Sequence, residues 1–162
     1  MTRALLQARP WLVPAVLGGL IVALLATSLW LWRRSTPATD DAPLAVARAE
    51  AQNFFTLSYQ HPDADLDRVL SLATDPFKAQ YGGQREAVAK GLVDKLLTLT
   101  AQVPDNGTAL EYRNGDSAQV LVAVDATTAT ADGRTETNRY RVRVRLAKAA
   151  SGWLVADLTQ VG

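Results

Sequence analysis

Trp11 to Trp32 is a run of 22 residues without one Asp, Glu, Lys, Arg or His, and no other stretch limits the chain so strongly. As a helix it extends about 33 Å, enough to cross a hydrocarbon core of ~30 Å. Lipid offers no hydrogen-bond partners, so a lone spanning segment must satisfy its backbone internally, as a helix does. Trp11, Trp30 and Trp32 stand at the two ends, where amphipathic rings favour the headgroup region. Arg9 precedes the run, and Arg33 and Arg34 follow it. The pattern predicts an N-terminal tail over 1–10, a transmembrane helix over 11–32, a linker over 33–42 and one domain over 43–162. A cleaved signal peptide fits less well. The run exceeds the ~7–15 residues of a signal's apolar region, and tryptophans and arginines stand where small residues are cut.

The flanking charges leave the direction of crossing nearly tied, with Arg3 and Arg9 on one side and Arg33 and Arg34 on the other. Those four arginines belong to a total of 17 Lys and Arg, which leaves 13 against 16 Asp and Glu in the domain. A mildly acidic domain lacks the basic footprint of a nucleic-acid binder. There is no cysteine, so disulfides and thiolate metal sites are excluded. Within the span, Ala15, Gly19, Ala23 and Thr27 recur every four residues. Such a stripe of small residues suits the close approach of a second helix, although alanine-rich spans also produce it by chance.

Past the linker, Asp41 and Pro43 open a helix whose stripe is Leu44, Ala47, Ala51, Phe54, Phe55 and Ser58, ending at His61-Pro62. A second helix is predicted over 63–73, with acids near its N-terminus where the helix dipole favours them. Asp75-Pro76 opens a third, which Gly82-Gly83 interrupts before Val88, Leu92 and Leu96 resume the spacing. From about Thr98 the period changes to two. Turn signals at Asn114-Gly115, Asp132-Gly133 and Ser151-Gly152 separate four strand-like runs, an antiparallel meander. Pro104 and Asp105-Asn106-Gly107 make the first run ragged, as a bulge or edge would. The last, Trp153 to Val161, is apolar on both sides and predicts a strand well inside the sheet. Three helices then about four strands make an α+β domain.

Four patterns invite sharper readings. Asp63, Asp65 and Asp67 alternate like a calcium loop, but Arg68 and Thr74 stand where that loop needs glycine and glutamate. His61 is the only histidine and lies in a turn, so no His-His metal site forms. Arg139, Arg141, Arg143 and Arg145 line one face of a strand. They read as a solvated face paired with neighbouring acids, or as contacts for a protein or anionic headgroups. Tyr59, Tyr81, Tyr140 and Asp125 are the groups an enzyme would turn inward, yet they make no recognisable acid–base set, and no cofactor motif is present.

The order of these elements resembles the nuclear-transport-factor-2-like fold, a curved sheet wrapped around a helix as a cone. More closely, the chain resembles the actinobacterial Mce-associated membrane proteins. The matching segments are the span, Leu57-Ser-Tyr-Gln and Asp63-Ala-Asp-Leu-Asp-Arg-Val-Leu. Asp75-Pro-Phe with Tyr81, and Ala118-Gln-Val-Leu-Val-Ala-Val-Asp125, follow. The last are Arg139-Tyr-Arg-Val-Arg-Val and Gly152-Trp-Leu-Val-Ala-Asp-Leu. The resemblance implies a non-enzymatic accessory protein of an Mce-type lipid or sterol import complex. Its N-terminus would lie inside the cytoplasmic membrane and its domain outside. Its partners would be the membrane and Mce transporter subunits or related accessory proteins, as a homo- or hetero-oligomer. Two alternatives stay open. One is a scaffold of a type IV secretion or conjugation machine; the other is a cone carrying an apolar ligand against Phe54, Phe55 and Trp153.

Overall fold

The computed structural model describes residues 41–162. The predicted span, its flanks Arg9, Trp11, Trp30, Trp32, Arg33 and Arg34, and the stripe Ala15, Gly19, Ala23 and Thr27 lie outside those residues. Among the described residues, no helix is long and apolar enough to cross a membrane.

Helix α1 (Ala42–Phe54) begins at the predicted proline and buries Pro43, Ala47, Glu50 and Ala51. It ends earlier than the apolar stripe suggests. Leu57–Ser58 leave the helix as strand β1, pairing with Leu99 and Thr98 of β2 (Thr98–Gln102), so sheet pairing overrides helical continuation. Helices α2 (Pro62–Ser71), α3 (Asp75–Gly82) and α4 (Arg85–Asp94) follow. The double glycine divides the predicted third helix into α3 and α4, giving four helices among the described residues where three were expected.

The remaining strands are β3 (Thr108–Asn114), β4 (Ser117–Ala129), β5 (Thr135–Ala149) and β6 (Gly152–Gln160). All six strands form one antiparallel sheet in the order β1-β2-β4-β5-β6, with β3 pairing β4 beyond the end of β2. The ragged first run is thus two strands. They are separated where the Gly107 N–H donates to the Pro104 carbonyl at 2.8 Å. A Cβ at Gly107 would lie 2.9 Å from that oxygen and 3.1 Å from the Ala123 carbonyl, so the close approach requires glycine. Gly115, Gly133 and Gly152 take positive φ at the three predicted hairpins.

Period-two patterning holds through β4 and β5. Ala118, Val120, Val122 and Val124 are buried on one face, opposite Leu146, Val144, Val142 and Tyr140. Apart from Tyr140, they join Ala47, Ala51, Phe77, Trp153 and Val155 in the main core between α1 and the sheet. The cone-like α+β architecture is the one expected.

One expectation fails: β6 is an edge strand, not an interior one. Its edge is met by the connection between α2 and α3. There the Thr74 N–H donates to the Val155 carbonyl at 2.8 Å and the Val155 N–H donates to Leu72 at 2.7 Å. A short parallel bridge over a sheet edge shields apolar residues as an added strand would.

The end of α4 carries a left-handed residue that is not glycine. Leu96 has φ 50°, with the Leu97 N–H reaching Leu92 at 3.0 Å and the Leu96 N–H reaching Val93 at 3.2 Å, a Schellman closure. Leu96 is 43% exposed and gains little by packing. Leu96→Gly should therefore raise the unfolding free energy by about 1 kcal/mol, read as a higher urea midpoint with an unchanged slope.

Candidate functional site

On α1, Ala47, Glu50, Ala51 and Phe54 fall at spacings of three, four and seven, which stacks them on one helical face. That face is turned into the cone, so Glu50 is carried into the core with its alanine neighbours. Its residue exposure is 0%, and neither carboxyl oxygen has a hydrogen-bond partner among the described residues. Taking a carboxylate out of water disfavours the charged form. Burial accordingly pushes the Glu50 carboxyl from 4.5 up to about 8, so it is mostly protonated at neutral pH.

Aromatic rings pack at the C-terminal end of the same helix. Phe54 lies 5.4 Å from the Tyr81 ring and packs edge-on against Phe55 at 5.3 Å. Phe77 stacks on Tyr81 at 5.9 Å, and Phe55 stacks on Tyr140 at 5.1 Å. The Tyr81 hydroxyl is pushed above its ordinary value, first by burial and then by the nearby Glu50 charge. Phe54, Phe77, Tyr81 and Leu158, with Gln80, Gln84 and Asp157, line a cavity of about 140 Å³. It opens between α3 and the end of β6.

The groups expected to turn inward in an enzyme are scattered. Asp125 lies on the outer face and accepts a two-pronged pair from Arg139, which holds its carboxyl below the ordinary value. Tyr59 packs beside the helices, and Tyr140 is taken up by Phe55. Only Tyr81 meets the buried acid. Glu50 is not part of the cavity lining, whose one acid, Asp157, is paired with Arg145. Trp153 is buried core rather than cavity wall, with Arg113 and Lys148 near its ring at 5.7 and 6.0 Å.

The arginine face is largely neutralised. Arg139 pairs with Asp125, Arg143 with Glu111 at 2.7 Å, and Arg145 with Asp157, leaving Arg141 exposed beside them. Glu111 is the extra residue of a bulge between Leu110 and Tyr112, and Ala156 is its counterpart on β6. Asp63 and Asp67 both hold Arg85, while Asp65 accepts from the Ser58 N–H at 2.7 Å and from Arg68. These three acids have partners in the protein. Among the described residues, no cluster of His, Asp or Glu suits a metal ion. A wider groove of about 730 Å³ beside Lys95 is lined by the β4–β5 hairpin tip, where Asp132, Thr130 and Arg134 bond one another.

Sequence reasoning missed Glu50. Its signal was positional: a single acid inside a stripe of Ala47, Ala51 and Phe54.

A family model described as "Uncharacterized protein Rv1363c/MT1408-like" matches residues 13–159. No curated protein matches the chain in sequence. Among solved structures, the periplasmic domain of DotI is similar at 17% identity and TM-score 0.65, over 78% of this chain and 98% of that one. An IcmL-like type IV secretion system protein from Legionella pneumophila is similar at 11% identity and TM-score 0.64, over 77% and 94%. A candidate aromatic ring hydroxylase from Novosphingobium aromaticivorans is similar at 20% identity and TM-score 0.55, over 78% and 96%. At such identities the likeness is one of fold, and that fold serves different functions.

Proposed function

We propose, on the premise that the chain belongs to the Rv1363c/MT1408-like family, that it is a non-enzymatic accessory protein acting through protein contacts. An N-terminal anchor over 11–32 holds the cone outside the cytoplasmic membrane, beside an Mce-type lipid or sterol importer. The observation that carries the accessory role is a predicted span followed directly by a cone whose fold recurs in the periplasmic domain of DotI. The Mce partner rests on the sequence resemblance alone.

A second reading keeps the architecture and changes the partner. The likeness to DotI and to an IcmL-like secretion protein favours a scaffold in a secretion or conjugation machine. Affinity purification of the full chain from native membranes separates the two. Recovery of importer permease and substrate-binding subunits supports the first, and recovery of conjugation components replaces it with the second. If the outer face of β5 is the contact, Arg139→Glu with Arg141→Glu should reduce partner recovery about tenfold, because like charges then meet across the interface. Unchanged recovery assigns that face to solvent.

A further inference from the structure

We propose that a cleft at Arg141, on the outer face of the sheet, binds one carboxylate, supplied by an acidic side chain of a partner protein. The carboxylate site stands on the geometry of the cleft, while its assignment to a partner rests on the accessory role proposed above.

Arg141 differs from the other three arginines of β5. Arg139 and Arg143 are held in two-pronged pairs by Asp125 and Glu111, and Arg145 is held by Asp157. Arg141 stands across from Ala123 instead, and no acid partners it among the described residues. It lines a cleft of about 130 Å³ whose other walls are the turn at 106–108, Ala109, Leu121 and Ala123. That lining contains no Asp or Glu. One cation without a counter-ion therefore borders a concave space.

The turn that walls the cleft is preformed. Arg48 of α1 donates to the Val103, Pro104 and Asp105 carbonyls at 2.6, 2.8 and 2.9 Å. The Ala123 N–H donates to the Gly107 carbonyl at 2.7 Å. The turn is thereby tied to the helix and to the sheet, so a ligand does not have to order it. Asn106 is exposed and its side-chain amide has no partner among the described residues, which gives the rim a second donor.

Size and charge select the ligand. A volume of about 130 Å³ holds roughly four waters, which suits a carboxylate on a two-carbon stem. Ala109, Leu121 and Ala123 give that stem an apolar floor. A guanidinium fork meets a carboxylate through two parallel hydrogen bonds. Other anions fit less well. The Asp125 and Glu111 carboxylates flank the cleft through the arginines on either side of Arg141, and they repel a doubly charged phosphate more than a singly charged carboxylate. Anionic bilayers attract clusters of several basic residues, and on this face three of the four arginines are already paired.

The test is an NMR titration of the isotope-labelled full chain in detergent micelles at neutral pH and constant ionic strength. Propionate, which reproduces the end of a glutamate side chain, should give saturable shifts in the amides of 106–109 and 121–123 and in the Arg141 Nε–H group. A dissociation constant on the order of 10 mM is expected for one charge-assisted fork. Propionamide has the same shape without the charge and should bind about tenfold more weakly. Arg141→Gln should lower the propionate affinity about tenfold. Ala123→Leu fills the floor and should do the same with the arginine retained. Both positions lie outside the buried core, so the variants fold. Arg134→Gln, at the hairpin tip, should change nothing. In the affinity purification described above, Arg141→Gln should lower recovery of the co-purifying subunit about threefold. No saturable shift, equal binding of propionamide, or an affinity that survives either variant would overturn the carboxylate site. Tighter binding of inorganic phosphate would overturn it in favour of a phosphate, as a lipid headgroup supplies. Unchanged recovery would overturn the assignment to a partner. If the parent chain recovers no subunit, the accessory reading fails, and the titration still decides the site.

Discussion

Between pH 4.5 and 8 the unfolding free energy of this domain should fall by on the order of 4–5 kcal/mol, and Glu50→Met should remove that fall. The folded carboxyl titrates near 8 and the unfolded one near 4.5. In the interval the native state holds a proton that the unfolded state has lost. Stability then declines by about 1.4 kcal/mol for each pH unit. The contribution is complete below pH 4.5 and gone once pH has risen through 8. Burial alone is the cause, with no cation to oppose it. Asp67, Glu111, Asp125 and Asp132 are held low by hydrogen-bonded partners and act in the opposite sense. Their stabilisation is lost only as pH falls below the ordinary carboxylate range. Stability should therefore peak near pH 4.5–5. Methionine has nearly the length of glutamate and high helix propensity, so the variant keeps the space filled without the buried acid. Urea denaturation across pH, followed by circular dichroism, measures the slope. A variant with the same slope as the parent would place the ionisable group elsewhere.

The features that were legible in the sequence are those with a period. Ala118, Val120, Val122 and Val124 recur every second residue, Val142 and Val144 alternate with arginines, and glycine turns separate their strands. A regular pattern of that kind has one simple burial. The pairing Leu57–Ser58 was hidden because two residues carry no period, and their apolar spacing continued that of α1. The edge position of β6 was hidden for a different reason. Apolar residues on both sides suggested two covered faces, but only Trp153 and Val155 are buried, and the free edge is met by the 72–74 connection, not by a further strand. Glu50 was overlooked because a glutamate in an alanine-rich helix reads as solvent-facing. Only its phase relative to Ala47 and Ala51 marks it as interior. The arginine face was read with its acids in the right chemistry. The identity of those acids needed the bulges at Glu111 and Ala156, which no turn residue announces.

Leu66→Ala should cost the domain roughly 4 kcal/mol, toward the top of the usual 2–5 kcal/mol for a buried leucine. Leu66 has 0% exposure and joins Leu57, Val69 and Leu92 in a second core beneath the helices, apart from the sheet core. The cost of such a deletion depends on whether neighbours collapse into the space. Here they are held. The Ser58 N–H donates to Asp65 at 2.7 Å, and Arg68 bridges Asp65 at 2.9 Å and the Thr56 carbonyl at 2.7 Å, which ties α2 to β1. Val69 lies on the same helix and cannot approach without moving it. Leu66→Met, which conserves volume, should cost under ~1.5 kcal/mol and serves as the control. A urea midpoint shifted down with an unchanged slope is the expected signature; a loss below ~1 kcal/mol for alanine would mean the second core relaxes freely. Phe54 and Tyr81 pack on this same cluster and also wall the cavity between α3 and the end of β6. The alanine variant should leave the pH slope in place, since Glu50 lies on the buried face of α1 with Ala47 and Ala51 of the sheet core. A second core of a few side chains thus holds the walls of the cavity, while the sheet core encloses the buried acid.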